Sequence, residues 1–172
     1  MKVSAAIAEI KNRIDDPNNI EYSITELTGW INDALDWLSV TFASIKYPEF
    51  TKETTITDGG TLPEDYIEQC GINPIIISGQ TVKLLNGATT YTLRYFYRLP
   101  FITYDPLTSS FTPADLPVKE MLTPVILQKA SIYAWNRNNY DVAQDEALLN
   151  QLLQGLGVTV RYAQIGEQTQ SK

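Results

Sequence analysis

From Ser23 to Ile45 the chain can do little but form a long amphipathic helix. At about 100° per residue, Ile24, Leu27, Trp30, Ile31, Ala34, Leu35, Trp37, Leu38, Phe42 and Ile45 fall within an arc of roughly 160°. Glu26, Asp33 and Asp36 gather on the far side. Ser23 is placed to cap the first free amides, and Glu26, three residues on, to reach back to the Ser23 amide in a capping box. So broad an apolar face has to be covered by other elements, which predicts a shared core and an acidic outer surface.

The flanking segments supply the cover. Val3, Ala6, Ile7, Ile10 and Ile14 predict a first helix over 3–14, stopped by Asp15-Asp16-Pro17-Asn18-Asn19. After Tyr47-Pro48 the pattern turns to strands: the β-branched run Thr51–Thr57, a buried strand over 72–77, and a hairpin whose arms 81–85 and 88–97 meet at Asn86-Gly87. In the second arm Tyr91, Leu93, Tyr95 and Tyr97 share one face, and Thr92, Arg94, Phe96 and Arg98 the other. Residues 99–117 read as a long loop punctuated by Pro100, Pro106, Pro113 and Pro117, too long for a simple connection. Pro117 is then expected in the first turn of a helix carrying Met121, Leu122, Val125, Ile126, Ala130, Tyr133 and Ala134, bent at Pro124. A last helix begins near Asp141, packs through Leu149, Leu152 and Leu153, and stops at Gly155 or Gly157.

The expected fold class is α+β, mainly helical: an N-terminal and a C-terminal helix pair packed as a bundle, a small antiparallel β insertion, and an extended C-terminal arm. Residues 1–155 would form one domain, helical over 1–47 and 117–155, with the β insertion at 51–98 and the loop at 99–117. Residues 156–172 would be a docking arm and tail, with Val158-Thr159-Val160-Arg161-Tyr162 alternating like a strand.

Composition removes several kinds of chemistry. There is no histidine, so the histidine-dependent nucleophile arrangements are excluded. The single cysteine, Cys70, can form no internal disulfide and supplies too little thiolate for a zinc site. A net charge of −7 disfavours tight binding to a nucleic-acid backbone. No apolar stretch approaches the ~18 residues of a membrane span. Met1–Arg13 carries Glu9 where a signal peptide would be apolar, and reads as a retained cytosolic start. No phosphate-binding glycine loop or nucleophile elbow occurs, and no cofactor is expected.

Of the polar clusters, Glu26, Asp33 and Asp36 are the ones that resemble the paired carboxylates of a glycan hydrolase. The plainer reading is the solvated or interface-facing side of an amphipathic helix. Asp15-Asp16 and Glu64-Asp65 read as turn and cap residues, because neither shows an EF-hand alternation. The tyrosines, tryptophans and arginines are residue types that anchor protein contacts.

The set IKNRIDDPNNIEYSITELTGWINDAL, then TLPEDY, then YTLRYFYRLPFITYDPLTSSFTPADLPVKEMLTPVILQKASIYAW, resembles the head-to-tail adaptor (connector, head-completion) proteins of tailed bacteriophages over roughly residues 7–155. The resemblance implies a non-enzymatic virion protein, made in the host cytoplasm and located at the neck. There it would form a dodecameric ring under the portal protein, extending the DNA channel and offering the tail or tail-nozzle protein a docking surface. Genomic DNA would pass through without sequence-specific binding. It implies a portal-docking arm of Leu156, Val158, Val160, Arg161, Tyr162 and Ile165. Glu26, Asp33, Asp36, Arg98, Phe101, Tyr104 and Phe111 are the residues expected at a subunit or tail interface. Two alternatives stand beside it: a small acidic cell-wall glycan hydrolase, since some related adaptors are assigned peptidoglycan cleavage, and a neck or tail-completion protein at another level of the same assembly.

Overall fold

A computed structural model describes residues 1–16, 21–85 and 87–157. Among them are four α-helices and seven strands: α1 Val3–Arg13, α2 Ile24–Ser44, β1 Thr51–Thr57, β2 Tyr66–Gln69, β3 Ile75–Ser78, β4 Thr81–Leu84, β5 Thr90–Tyr97, β6 Thr103–Asp105, β7 Ser110–Thr112, α3 Thr123–Arg137 and α4 Ala143–Gly155.

Helix α2 begins and ends as its residues dictate. Ser23 Oγ accepts from the Glu26 amide at 3.2 Å and Glu26 Oε2 accepts from the Ser23 amide at 2.9 Å, closing the capping box. At the other end Lys46 takes a left-handed φ of 57°, and the Tyr47 amide donates to Phe42 O at 2.9 Å while the Lys46 amide donates to Ala43 O at 3.1 Å. This is a Schellman closure, completed by contact of the Tyr47 and Phe42 rings at 4.7 Å. The turn after α1 is held by buried Asp16, whose Oδ2 accepts from the amides of Tyr22 and Glu21.

The expected bundle of sequential helix pairs does not form. Helix α3 buries Val125, Ile126, Leu127, Gln128, Ala130, Ser131, Ile132 and Ala134, more than one face of a helix, and α1, α2 and α4 each pack against it. A helix buried on several sides becomes a hub. Helix α1 therefore lies mainly against α3 and only lightly against its sequence neighbour α2. Nor is the fold mainly helical: of the described residues 41% are helical and 24% are in strands, in three small sheets.

The strand pairing differs as well. Strand β5 is the centre of a three-stranded antiparallel sheet in the order β1-β5-β2, with Glu53 opposite Arg94 and Thr51 opposite Phe96. Strand β4 pairs with β3, through a two-residue turn at Gly79-Gln80 where Gly79 has φ +61°. The hairpin expected at Asn86-Gly87 is therefore absent from the pairing of β4 and β5, and Asn86 itself lies outside the described residues. The cause lies in β5, whose Leu93 and Tyr95 on one face and Phe96 on the other are all buried. An eight-residue strand apolar on both faces needs pairing on both edges and cover on both faces, which four-residue β4 cannot supply. The strand expected over 72–77 is shorter and mostly exposed: of its isoleucines only Ile75 is buried, and Ile72 lies fully in solvent.

Two cores result. The larger gathers the four helices with Phe50, Leu99, Ile102 and Leu116; the smaller collects Ile56, Leu62, Ile75, Val82, Leu84, Leu93 and Tyr95. Tyr97 touches both, and a ring series joins them, with Phe42 against Phe50 at 5.1 Å and Phe50 stacked on Tyr97 at 4.6 Å. Helix α3 starts at Thr123, after a 3-10 turn at Glu120–Leu122, so Pro124 occupies its first turn. Pro117 precedes the helix, and Pro124 opens it where a missing N–H costs nothing.

The 99–117 segment is no open loop. It holds the β6–β7 hairpin and is fixed at both ends. On the N-terminal side, Asn32 Nδ2 donates to Ile102 O at 2.8 Å and the Ile102 amide donates to Asn32 Oδ1 at 2.7 Å. The Leu99 amide donates to buried Ser39 Oγ at 3.0 Å. On the C-terminal side, the Val3 amide donates to Ala114 O and the Leu116 amide to Met1 O, each at 2.9 Å. Replacing Asn32 with Ala strands a donor and an acceptor on Ile102, which is 2% exposed, and is expected to cost about 2–3 kcal/mol in urea unfolding. A loss within error of zero would show that the clasp adds nothing.

Candidate assembly surfaces

The expected interface residues separate into three environments. Asn32, Asp36 and Ser39 form one stripe of α2, and along it runs the chain from Arg98 to Ile102. Arg98 Nε lies 2.8 Å from Asp36 Oδ1 as an ion pair, out of hydrogen-bond alignment. Asp36 and Arg98 thus meet each other within one chain. Both are part-exposed, so the pair adds roughly 0–1 kcal/mol and acts more to orient than to stabilise.

Glu26 is engaged twice. Its carboxylate closes the capping box and also meets the Arg137 guanidinium at the end of α3. The Ser23 amide and hydroxyl, then Arg137, hold it at about 2, far below the usual carboxylate range. A glycan hydrolase's proton donor needs the opposite shift, so Glu26 is unsuited to that role. Asp33 is the exposed member of the acidic trio and forms no ion pair among the described residues; it lies near Tyr133, whose hydroxyl is raised first by burial and then by Asp33 and Asp36.

The β6–β7 hairpin forms the third environment. Tyr104 and Phe111 are cross-strand partners with ring centroids 5.0 Å apart, half-buried, and Phe111 rests on the main core. At the tip Asp105 Oδ1 accepts from the Leu107 amide at 2.9 Å and Oδ2 from the Thr108 hydroxyl at 2.6 Å, holding that carboxyl below its ordinary value. This ordered turn carries Leu107 at 94% exposure, and Phe101 at its base is 51% exposed. Leu156 packs on the core beyond α4, whereas Val158, Val160, Arg161, Tyr162 and Ile165 lie outside the described residues.

Other features carry no obvious signal in the sequence. Lys129 of α3 lies over the Trp37 and Tyr133 rings, 5.0 and 4.7 Å from their centroids, and burial pulls its ammonium below the ordinary lysine value against the opposing charge of Glu146. Tyr95 donates to Asp65 Oδ1 at 2.9 Å, and burial followed by that bond pushes it up to about 12. An open cleft of about 470 Å³ lies between the end of α2, β2 and β5, walled by Lys46, Pro48, Glu68, Gln69, Cys70, Gly71, Arg94 and Phe96. Among the described residues no cluster of three His, Cys, Asp or Glu side chains is placed to hold a metal, and no helix is long and apolar enough to cross a membrane.

Comparison of the sequence with models of known protein families and with curated proteins returns no match.

Because the Glu26 pKa is depressed on folding, its contribution is complete above the unfolded value near 4.5 and lost as pH falls toward 2. Glu26→Gln is expected to lower Tm at pH 7, with the gap to wild type closing between pH 4.5 and 2. A gap that is constant with pH would remove the carboxylate charge from the account.

Proposed function

We propose that this chain is a structural virion protein, a head-to-tail adaptor that joins a ring under the portal of a tailed bacteriophage and gives the tail a docking surface. The observation that carries this reading is the fixed presentation of the 98–117 segment. Three side chains of α2 and the N-terminal strand-like residues hold it at both ends, while its exposed apolar groups, Phe101 and Leu107, face outward. Leu107 buries almost nothing against its own chain, and with Phe101 it offers apolar surface that a partner can cover.

The sequence resemblance supplies the rest of the proposal. Twelve copies close a ring through heterologous contacts, one patch of each copy meeting a different patch of the next. Asp33 on the outer face of α2 is the acidic residue left for a neighbour or the channel wall, and weak repulsion of passing DNA fits a chain of net charge −7. Residues 156–165 dock on the portal, where an added strand would gain main-chain hydrogen bonds. The chain would reside at the virion neck.

Mixing the purified chain with its portal ring and imaging the product tests this reading. Rings capping the portal are expected with wild type, and loss of capping with a chain truncated after Gly157. Leu107→Asp should leave the ring on the portal and abolish tail attachment. If wild type never associates with portal or virion particles, and cell-wall lysis instead falls by orders of magnitude in Asp33→Asn, the hydrolase alternative replaces the adaptor reading.

A further inference from the structure

We infer that neighbouring copies of this chain meet through two defined patches, the exposed face of the β3–β4 hairpin on one copy and the outer stripe of α2 on the next, with Lys83 pairing with Asp33 across the contact. The inference rests on the ring reading above and names the surfaces that close the ring. Charge is its starting point. Helix α2 carries Glu26, Asp33 and Asp36 and no basic residue, whereas residues 69–104 carry Lys83, Arg94 and Arg98 and no acidic one. Most of these charges are engaged inside the chain: Glu26 with Arg137, Asp36 with Arg98, and Arg94 with the neutral oxygens of Thr51 and Pro48. Asp33 and Lys83 are left over, both exposed and both without an ion pair or side-chain hydrogen bond among the described residues. One molecule thus presents the two halves of a charge pair that it does not form itself.

Each leftover charge sits in apolar surface of its own element. On α2, Trp37 and Val40 follow Asp33 by four and seven residues and share its face, Trp37 half-buried and Val40 exposed. Lys129, over the Trp37 ring, is offset by Glu146, so the stripe stays acidic. On the hairpin, Ile76 lies directly opposite Lys83 in register, on the face turned away from the buried Ile75, Val82 and Leu84. Ile72 and Leu85 are exposed at the same end. Covering this apolar surface drives association, and the charge pair selects which patches meet. The hairpin patch is fixed beforehand: the Val82 amide donates to Gly60 O and the Gly59 amide to Val82 O, each at 2.9 Å, and Tyr91 Oη donates to Asn73 Oδ1 at 2.9 Å beside Ile72. The two patches belong to different parts of the fold, β3 and β4 to the smaller core and α2 to the larger. Complementary patches at different places on one molecule make a head-to-tail contact, which a ring repeats until it closes.

Carbodiimide coupling tests the contact directly, because it joins a carboxylate to an amine where the two touch. An equal mixture of isotopically light and heavy full-length chain is coupled twice, once concentrated alone and once assembled on portal rings, and then digested. A peptide pair joining Asp33 of one isotope to Lys83 of the other is expected, in a yield that falls as sodium chloride is added. Asp33→Lys and Lys83→Asp, each with an unchanged far-ultraviolet spectrum, should raise the concentration needed for ring assembly at least about tenfold, since each sets like charges together. Mixing the two variants in equal amounts should restore assembly, because alternating copies then place one lysine against one aspartate at every contact. If either variant does not fold, the isotope experiment on wild type decides. Absence of the mixed-isotope link from both preparations, single variants that assemble like wild type, or loss of assembly that mixing does not repair each overturns the inference. Rings that cap the portal without the link leave the adaptor reading standing and remove this contact alone. The link in a chain that never joins a portal keeps the contact and removes that reading.

Discussion

The amide of Asn32 meets the backbone of Ile102 in both directions, doing for one buried residue what a neighbouring strand would do in a sheet. The rest of the architecture follows from that constraint. Helix α2 is apolar toward α3 and carries a narrow polar stripe along its other border, where Asn32, Asp36 and Ser39 recur at helical spacing. The stripe gives the chain leaving β5 partners for amides that would otherwise be buried unpaired. The strand thereby continues across the helix instead of turning into solvent, and the hairpin beyond it has a defined place.

Ring packing makes the two cores one unit. Phe42, Phe50 and Tyr97 form a continuous contact from the inside of the helical layer to the central strand, and Tyr97 lies against both clusters. The ion pairs add orientation more than energy. Lys2 with Asp115, Lys119 with Glu49, Lys52 with Asp65 and Arg137 with Glu26 each join segments distant in sequence, but all are substantially exposed. Arg94 stands apart from this pattern, held only by neutral oxygens.

Local structure was legible in the sequence wherever neighbours in the chain decide it. The start of α2 could be read from Ser23 and Glu26, its core face from the apolar period, the two faces of β5 from alternation, and the turn role of Asp16 from its place before a proline. Arrangement was not legible, because it depends on partners far along the chain. Asn-Gly is a strong local hairpin signal, but the demand of β5 for cover on both faces sent it to β1 and β2. Sequential helices suggest pairs, but α3 is buried on several sides and drew all three others to itself. The clasp was hidden for a different reason: Asn32 and Ser39 on a helix border look like ordinary solvated positions until a backbone segment arrives to meet them. The acidic residues of α2 differ in their surroundings, since Glu26 and Asp36 meet arginines of their own chain while Asp33 faces solvent.

The central claim is that the segment leaving β5 belongs to the same cooperative unit as α2, so that the hairpin is presented by the core and not by a loop. Native-state hydrogen exchange of wild type under increasing denaturant tests this most directly. The account predicts that the Leu99 and Ile102 amides exchange through the same opening, with the same free energy and denaturant dependence, as the α2 amides of Leu35 and Leu38. Exchange at Leu99 and Ile102 that is orders of magnitude faster, and insensitive to denaturant while α2 stays protected, would contradict it.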